Sequence, residues 1–168
     1  MPSQEGVELS RIVLKKIEEL RSVCLKVDEK TASSAPQDRW SPKEILSHLC
    51  GPEGIGLMPL VRAFLEEDMP RLDMEPAKTY FTGRRSQMTF TELLAEFEHT
   101  YGQVADFVAP LSEKQLARKA HVPMFKETPI GEYPTLAMFV QGVADFHIGD
   151  HINHLKEVLE ALKAGPVR

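Results

Sequence analysis

Three histidines, His147, His151 and His154, stand at spacings of four and three residues in the run Val140-Gln141-Gly142-Val143-Ala144-Asp145-Phe146-His147-Ile148-Gly149-Asp150-His151-Ile152-Asn153-His154-Leu155. In a helix, successive residues turn by about 100°, so positions i, i+4 and i+7 fall within roughly 60° of one another. One side of one rod therefore carries all three rings. Val140, Val143 and Val158 share that side, so it is expected to face a core. Imidazoles buried without partners cost on the order of a few kcal/mol each. A metal ion would meet that cost, and so would a packed or solvent-bridged cluster. A histidine pair at i, i+4 places two ring nitrogens where one ion can bridge them. Ile148, Gly149 and Asp150 separate His147 from His151, so the glutamate of the metalloprotease pattern HExxH is missing.

The rods that hold such rings can be read from periodicity. Leu9, Ile12, Val13, Ile17, Leu20, Val23, Cys24 and Val27 predict an amphipathic helix over about Val7–Val27. Lys30–Arg39 reads as a loop. Ser41-Pro42-Lys43-Glu44 then starts a second helix, with Ser as cap, Pro in the first turn and Glu three residues after the cap. Trp40, the sole tryptophan, precedes that cap. His48 lies one turn beyond Glu44 on this helix, near its apolar side; alone, it reads more readily as a hydrogen-bonded core residue than as a ligand. Gly51 to Pro59 interrupts the pattern, Leu60–Glu67 resumes it, and Asp68–Gln87 reads as a long irregular connection in which Arg84-Arg85 could meet an anionic group but reads better as a solvated pair.

Thr89-Phe90-Thr91-Glu92 opens a third long helix, buried along Phe90, Leu93, Leu94, Phe97, Tyr101, Val104 and Val108 and exposed at His99. A short extra helix follows from Ser112 to about Arg118. Lys119–Pro134 is irregular and contains His121. Thr135 caps the final helix, which runs to about Lys163 before Gly165-Pro166 stops it. Four long helical segments without alternating strand runs give an all-α four-helix bundle, and bundles build metal sites from facing helices. His48 opposite the last helix suits such a site.

The bulk numbers bound the rest. The 168 residues fit one domain spanning 1–168. Twenty basic against 25 acidic side chains give a formal charge of -5, which argues against sequence-independent nucleic-acid binding. No apolar run is long enough to span a bilayer. Met1 to Glu5 lacks a signal pattern, and Cys24 and Cys50 sit unpaired in helical patterns, so a reducing cytoplasm is the expected location.

Trp40-Ser41-Pro42-Lys43-Glu44-Ile45-Leu46-Ser47-His48-Leu49, followed by Phe146-His147, His151 and His154-Leu155, resembles the DinB/YfiT-like superfamily of metal-dependent enzymes. The two motifs carry the likeness; elsewhere it is one of helix count and loop position, along nearly the whole chain. The resemblance implies an up-down-down-up bundle with long crossover loops. It also implies a metal triad of His48, His147 and His151, with His154 a frequent follower of the pair. Some relatives place a carboxylate at the first ligand position, so Asp150 with His154 is an alternative pair. Similar proteins are hydrolases or S-transferases that use a low-molecular-weight thiol, and dimers are common among them.

Three protein ligands leave a position for water or substrate, as in catalytic zinc sites. Imidazoles suit zinc or nickel first, with iron and manganese also compatible. Glu44 and Asp150 are candidates to hold free ring nitrogens or act as general base, although both also fit surface carboxylates on helix flanks. Cys50 is expected to pack, and Glu53 reaches the site only if the Gly-Pro break redirects it. Two functions remain open: a metal-dependent enzyme acting on a small molecule, or a non-catalytic metal- or ligand-binding bundle acting as a sensor or stress-response protein. Asp68–Gln87 and Lys119–Pro134 are expected to line the open side of the site.

Overall fold

A computed structural model describes residues 1–165 of the chain, and among these no strand forms; two isolated bridges, Arg71 with His121 and Lys119 with Thr135, tie loops together. Side-chain caps start most of the helices. Ser3 accepts from Gly6 N at the head of α1 (Gln4–Cys24), and Asp28 caps the single turn α2 (Glu29–Ala32). Ser41 and Glu44 form a reciprocal capping box on α3 (Pro42–Cys50). That helix ends at Gly51, whose φ of 74° lies in the left-handed region that glycine tolerates.

After the Gly-Pro break the chain resumes as α4 (Met58–Glu66). Thr82 caps α5 (Gly83–Gln87), Thr89 caps α6 (Phe90–Val108), and Ser112 with Gln115 boxes α7 (Glu113–Leu116). Thr135 caps α8 (Leu136–Gln141). A π turn at Gly142–Phe146 then carries the same rod into α9 (His147–Ala164). Gly165 follows that helix, whereas Pro166, the other half of the expected stop, lies outside the described residues. The extra helix is shorter than expected, and the two N-terminal loops each contain a helical turn, because Asp28 and Thr82 supply caps.

Pairwise contacts fix the helix directions. Ser3 donates to Leu111 O while Arg21 pairs with Glu98, so α1 and α6 are antiparallel. Lys16 meets Asp145, and further along Val23 and Lys26 share a groove with Lys156 and Leu159, so α1 and the last rod are parallel. Arg39 reaches Glu157 while His48 meets His147, so α3 and α9 are antiparallel. Glu29 joins Lys43 to the backbone N–H of Phe90, and later Cys50 Sγ faces Leu93 O, so α3 and α6 are parallel. The order is up, down, down, up. Chain neighbours α1 and α3 lie on opposite corners of the bundle, which is why the connections between long helices are themselves long.

One apolar cluster fills the centre, from Leu9, Val13, Ile17 and Leu20 on α1 to Ile148, Ile152, Leu155 and Val158 on α9. The head of α1 approaches the end of α6 so closely that a Cβ on Gly6 would stand 2.6 Å from Val108 O. Both atoms belong to helix backbone and cannot step aside. Gly6→Ala is therefore expected to destabilise the fold by about 1–3 kcal/mol, read as a lower urea midpoint with unchanged slope.

Candidate metal centre

The antiparallel pair α3 and α9 brings distant histidines together. His48 is near the end of α3, and His147 and His151 are on the first turns of α9. Ring centroids are 5.1 Å apart for His48 and His147, 4.6 Å for His48 and His151, and 4.7 Å for His147 and His151. One nitrogen from each ring lies within 4.8 Å of the others. Among the described residues, this group contains no carboxylate and no thiolate.

The π turn aims the rings. The His147 N–H donates to Gly142 O, five residues back, so one residue more than an α-turn is accommodated just before the cluster. That extra residue rotates every later side chain by about 100° relative to Leu136–Val140. Periodicity alone gave no sign of it.

Two of the three rings have their outer nitrogens held. His48 Nδ1 lies 2.5 Å from Lys78 O. A carbonyl only accepts, so Nδ1 carries the proton and Nε2 keeps its lone pair for the cluster. His151 Nδ1 lies 3.3 Å from His154 Nδ1, so His154 stands behind the triad as a partner to His151. Glu44, a candidate to hold a ring nitrogen, accepts from Ser41 N as the return half of the capping box. Asp150 is exposed and lines a neighbouring cavity with His147. Glu53 is taken up by Thr82 and Arg84. Cys50 and Cys24 are buried, and burial pushes both thiols up to about 12, consistent with packing.

Trp40 does more than lead into α3. Its ring stacks over His151 at 6.3 Å and also contacts His48 and His154, at 5.2 and 5.8 Å. A cavity of about 750 Å³ opens in front of the histidines. Ile55, Leu57 and Leu60 from the break and α4 give it apolar walls, and Met74, Lys78 and Met124 come from the two irregular connections.

Burial governs the charge state of the cluster. Loss of solvation, reinforced by His48, lowers the His147 pKa to about 4 although Asp150 opposes the shift. Desolvation and the surrounding histidines lower His151 to about 3. Desolvation also lowers His48, against the Lys78 carbonyl, and His154. The rings are neutral near pH 7, the form that offers lone pairs.

By sequence, the chain matches no protein-family model and no curated protein. By structure it is similar to YfiT from Bacillus subtilis, with a TM-score of 0.73 and 16% identity, covering 98% of this chain and 92% of that one. It has a YfiT-like fold. YfiT is described as "a probable metal-dependent hydrolase with an unusual four-helix bundle topology". The up-down-down-up order, with α3 facing α9, is common ground for the fold comparison and for the histidine geometry seen here.

Arg85 overturns the expectation of a solvated pair in this YfiT-like bundle. Arg84 is exposed and pairs with Glu53, but Arg85 is only 1% exposed. Its guanidinium donates to Ser47 O, Gly51 O and Tyr80 O and pairs with Glu96 at 2.9 Å. It thus pins the end of the His48 helix to the loop whose Lys78 carbonyl holds that ring. An adjacent pair of arginines carries no mark of which one is buried.

Two outcomes follow. Arg85→Met removes one partner of a buried pair and is expected to cost about 3–5 kcal/mol in chemical denaturation. In chelator-treated protein, the unfolded chain binds protons at His147 and His151 below about pH 6.5 that the folded chain refuses. Stability should therefore fall as pH drops from about 6.5 to about 5, by at most roughly 1.4 kcal/mol per unit per histidine. Urea melts across that window test the sign, and His147→Gln should flatten the slope.

Proposed function

We propose that His48, His147 and His151 hold one divalent transition-metal ion, zinc or nickel first, and that the chain is a metal-dependent hydrolase of small molecules. The observation that carries the reading is the convergence of three neutral imidazoles from two helices at the floor of a large cavity. The donor set fits. Nitrogens shared by one ion at about 2.1 Å lie within about 4.2 Å of each other, so a 4.8 Å envelope closes with small ring rotations. The Lys78 carbonyl favours His48 Nε2 as the ligating atom, and the His154 contact holds the His151 ring through its Nδ1. In this reading His154 supports His151 and is not a ligand, and Glu44 and Asp150 are given no ligand role.

A bound ion would supply Lewis acidity toward a carbonyl oxygen and a more acidic water. The chain's own residues then orient and shield. Hydrolysis of an ester or amide forms a bond from water oxygen to the carbonyl carbon, breaks the bond to the leaving oxygen or nitrogen, and passes a proton to that atom. Trp40 and the apolar wall limit competing water around the carbonyl. His154, hydrogen-bonded to His151, holds that ring in the orientation the cluster needs.

The test is metal analysis of purified and reconstituted protein, followed by an ester and amide screen. About one equivalent per chain is expected, with His48→Ala weakening binding by more than about 100-fold, beyond the range for loss of a ligand's supporting partner, and abolishing turnover. Less than about a tenth of an equivalent after reconstitution would contradict the site. Metal bound at full stoichiometry without turnover of any ester or amide would favour the non-catalytic binding bundle, and turnover only with added thiol would favour the transferase.

A further inference from the structure

The histidine cavity does not end at its own walls. A second cavity of about 430 Å³ lies behind His147. Met74, Met124, Val143 and His147 line both, so one partition of two methionines, a valine and an imidazole is all that separates them. Beyond it the surface is set by Phe125, Ile130 and Phe146. Methionine is unbranched and adaptable, so a boundary that includes Met74 and Met124 is one that a flexible chain can pass.

Three large apolar side chains left exposed by the fold trace the same route: Ile55 at the first cavity, Met124 at the partition and Phe146 at the second. Exposed apolar groups gathered along connected clefts mark a binding path rather than random surface. The charges on the route exclude an anion. Asp73, Glu75 and Asp150 line it, and Lys78, the one lysine or arginine on it among the described residues, is paired with Glu75.

We propose that the substrate is an uncharged ester or amide with an extended apolar arm, its carbonyl at the histidines and its arm threading past Met74 and Met124 into the second cavity. This rests on the hydrolase reading for the identity of the reacting group. The arm's path is carried by the cavities alone.

Methyl-labelled isoleucine and methionine report the path without turnover. Ile55 touches only the first cavity and Ile130 only the second. The full chain, zinc-loaded and metal-free, is titrated with methyl propyl ketone, methyl nonyl ketone and undecanoate. The short ketone should shift the Ile55 methyl and leave Ile130 unmoved, and the long ketone should shift Ile55, Met74, Met124 and Ile130 with a single Kd. Each methylene kept from water is worth about a fourfold gain in affinity, so Thr128→Trp, which narrows the second cavity only, should weaken the long ketone by more than about tenfold and leave the short one within about twofold. On the metal-free chain, undecanoate should bind at least about tenfold more weakly than the equally long ketone, because among the described residues no unpaired lysine or arginine lines the route. Silence at Ile130, a separate Kd there, or equal binding of undecanoate would overturn the proposal, and the wild-type methyl signals decide the first two even if the tryptophan variant does not fold. Failure of zinc to bind, with the ketone pattern intact, would overturn the hydrolase reading and leave the path standing.

Discussion

The antiparallel packing of α3 against the last rod is the constraint on which the rest of the structure depends. Residues about a hundred apart in sequence share one point only because His48 ends its helix where His147 begins α9. A parallel pairing would carry His48 toward the opposite end of the last rod. The up-down-down-up order enforces the antiparallel pairing by placing α1 and α3 on diagonal corners, at the cost of long connections. Those connections then serve the site: one supplies the carbonyl of Lys78 and the other brings Met124 to the cavity.

A cluster of imidazoles at a bundle's inner wall is unfavourable unless something fixes each ring. Here the fixing is local and specific. Lys78 O settles the His48 tautomer, His154 engages His151, and Trp40 closes over the set. Arg85 acts one layer out, joining the carbonyls of Ser47, Gly51 and Tyr80 so that the helix bearing His48 and the loop bearing Lys78 move as one body. Burial meanwhile keeps the rings neutral, which suits them to give lone pairs to a cation and makes the site costly to protonate.

Much of this was legible in the sequence because it is written in local chemistry. Ser41, Thr89 and Thr135 announce their helices through side chains that satisfy the first N–H groups. His147 and His151 announce themselves through helical spacing. What stayed hidden depends on partners far along the chain. The partner of His48 is one such feature, since its Nδ1 finds the Lys78 carbonyl thirty residues on. Arg84 and Arg85 look alike until α5 turns one of them toward α3. The π turn before His147 leaves no mark in apolar periodicity, since Val140, Val143 and Ala144 are buried on either reading.

Nitrogen NMR of the imidazole rings during a zinc titration tests most directly whether one ion is held through His48 Nε2 together with His147 and His151, with His154 outside the set. The expected result is that the Nε2 signal of His48 and one ring nitrogen each of His147 and His151 move together and saturate at one equivalent, while His48 Nδ1 keeps its proton. Saturation through His48 Nδ1, or through His154 in place of His151, would contradict it.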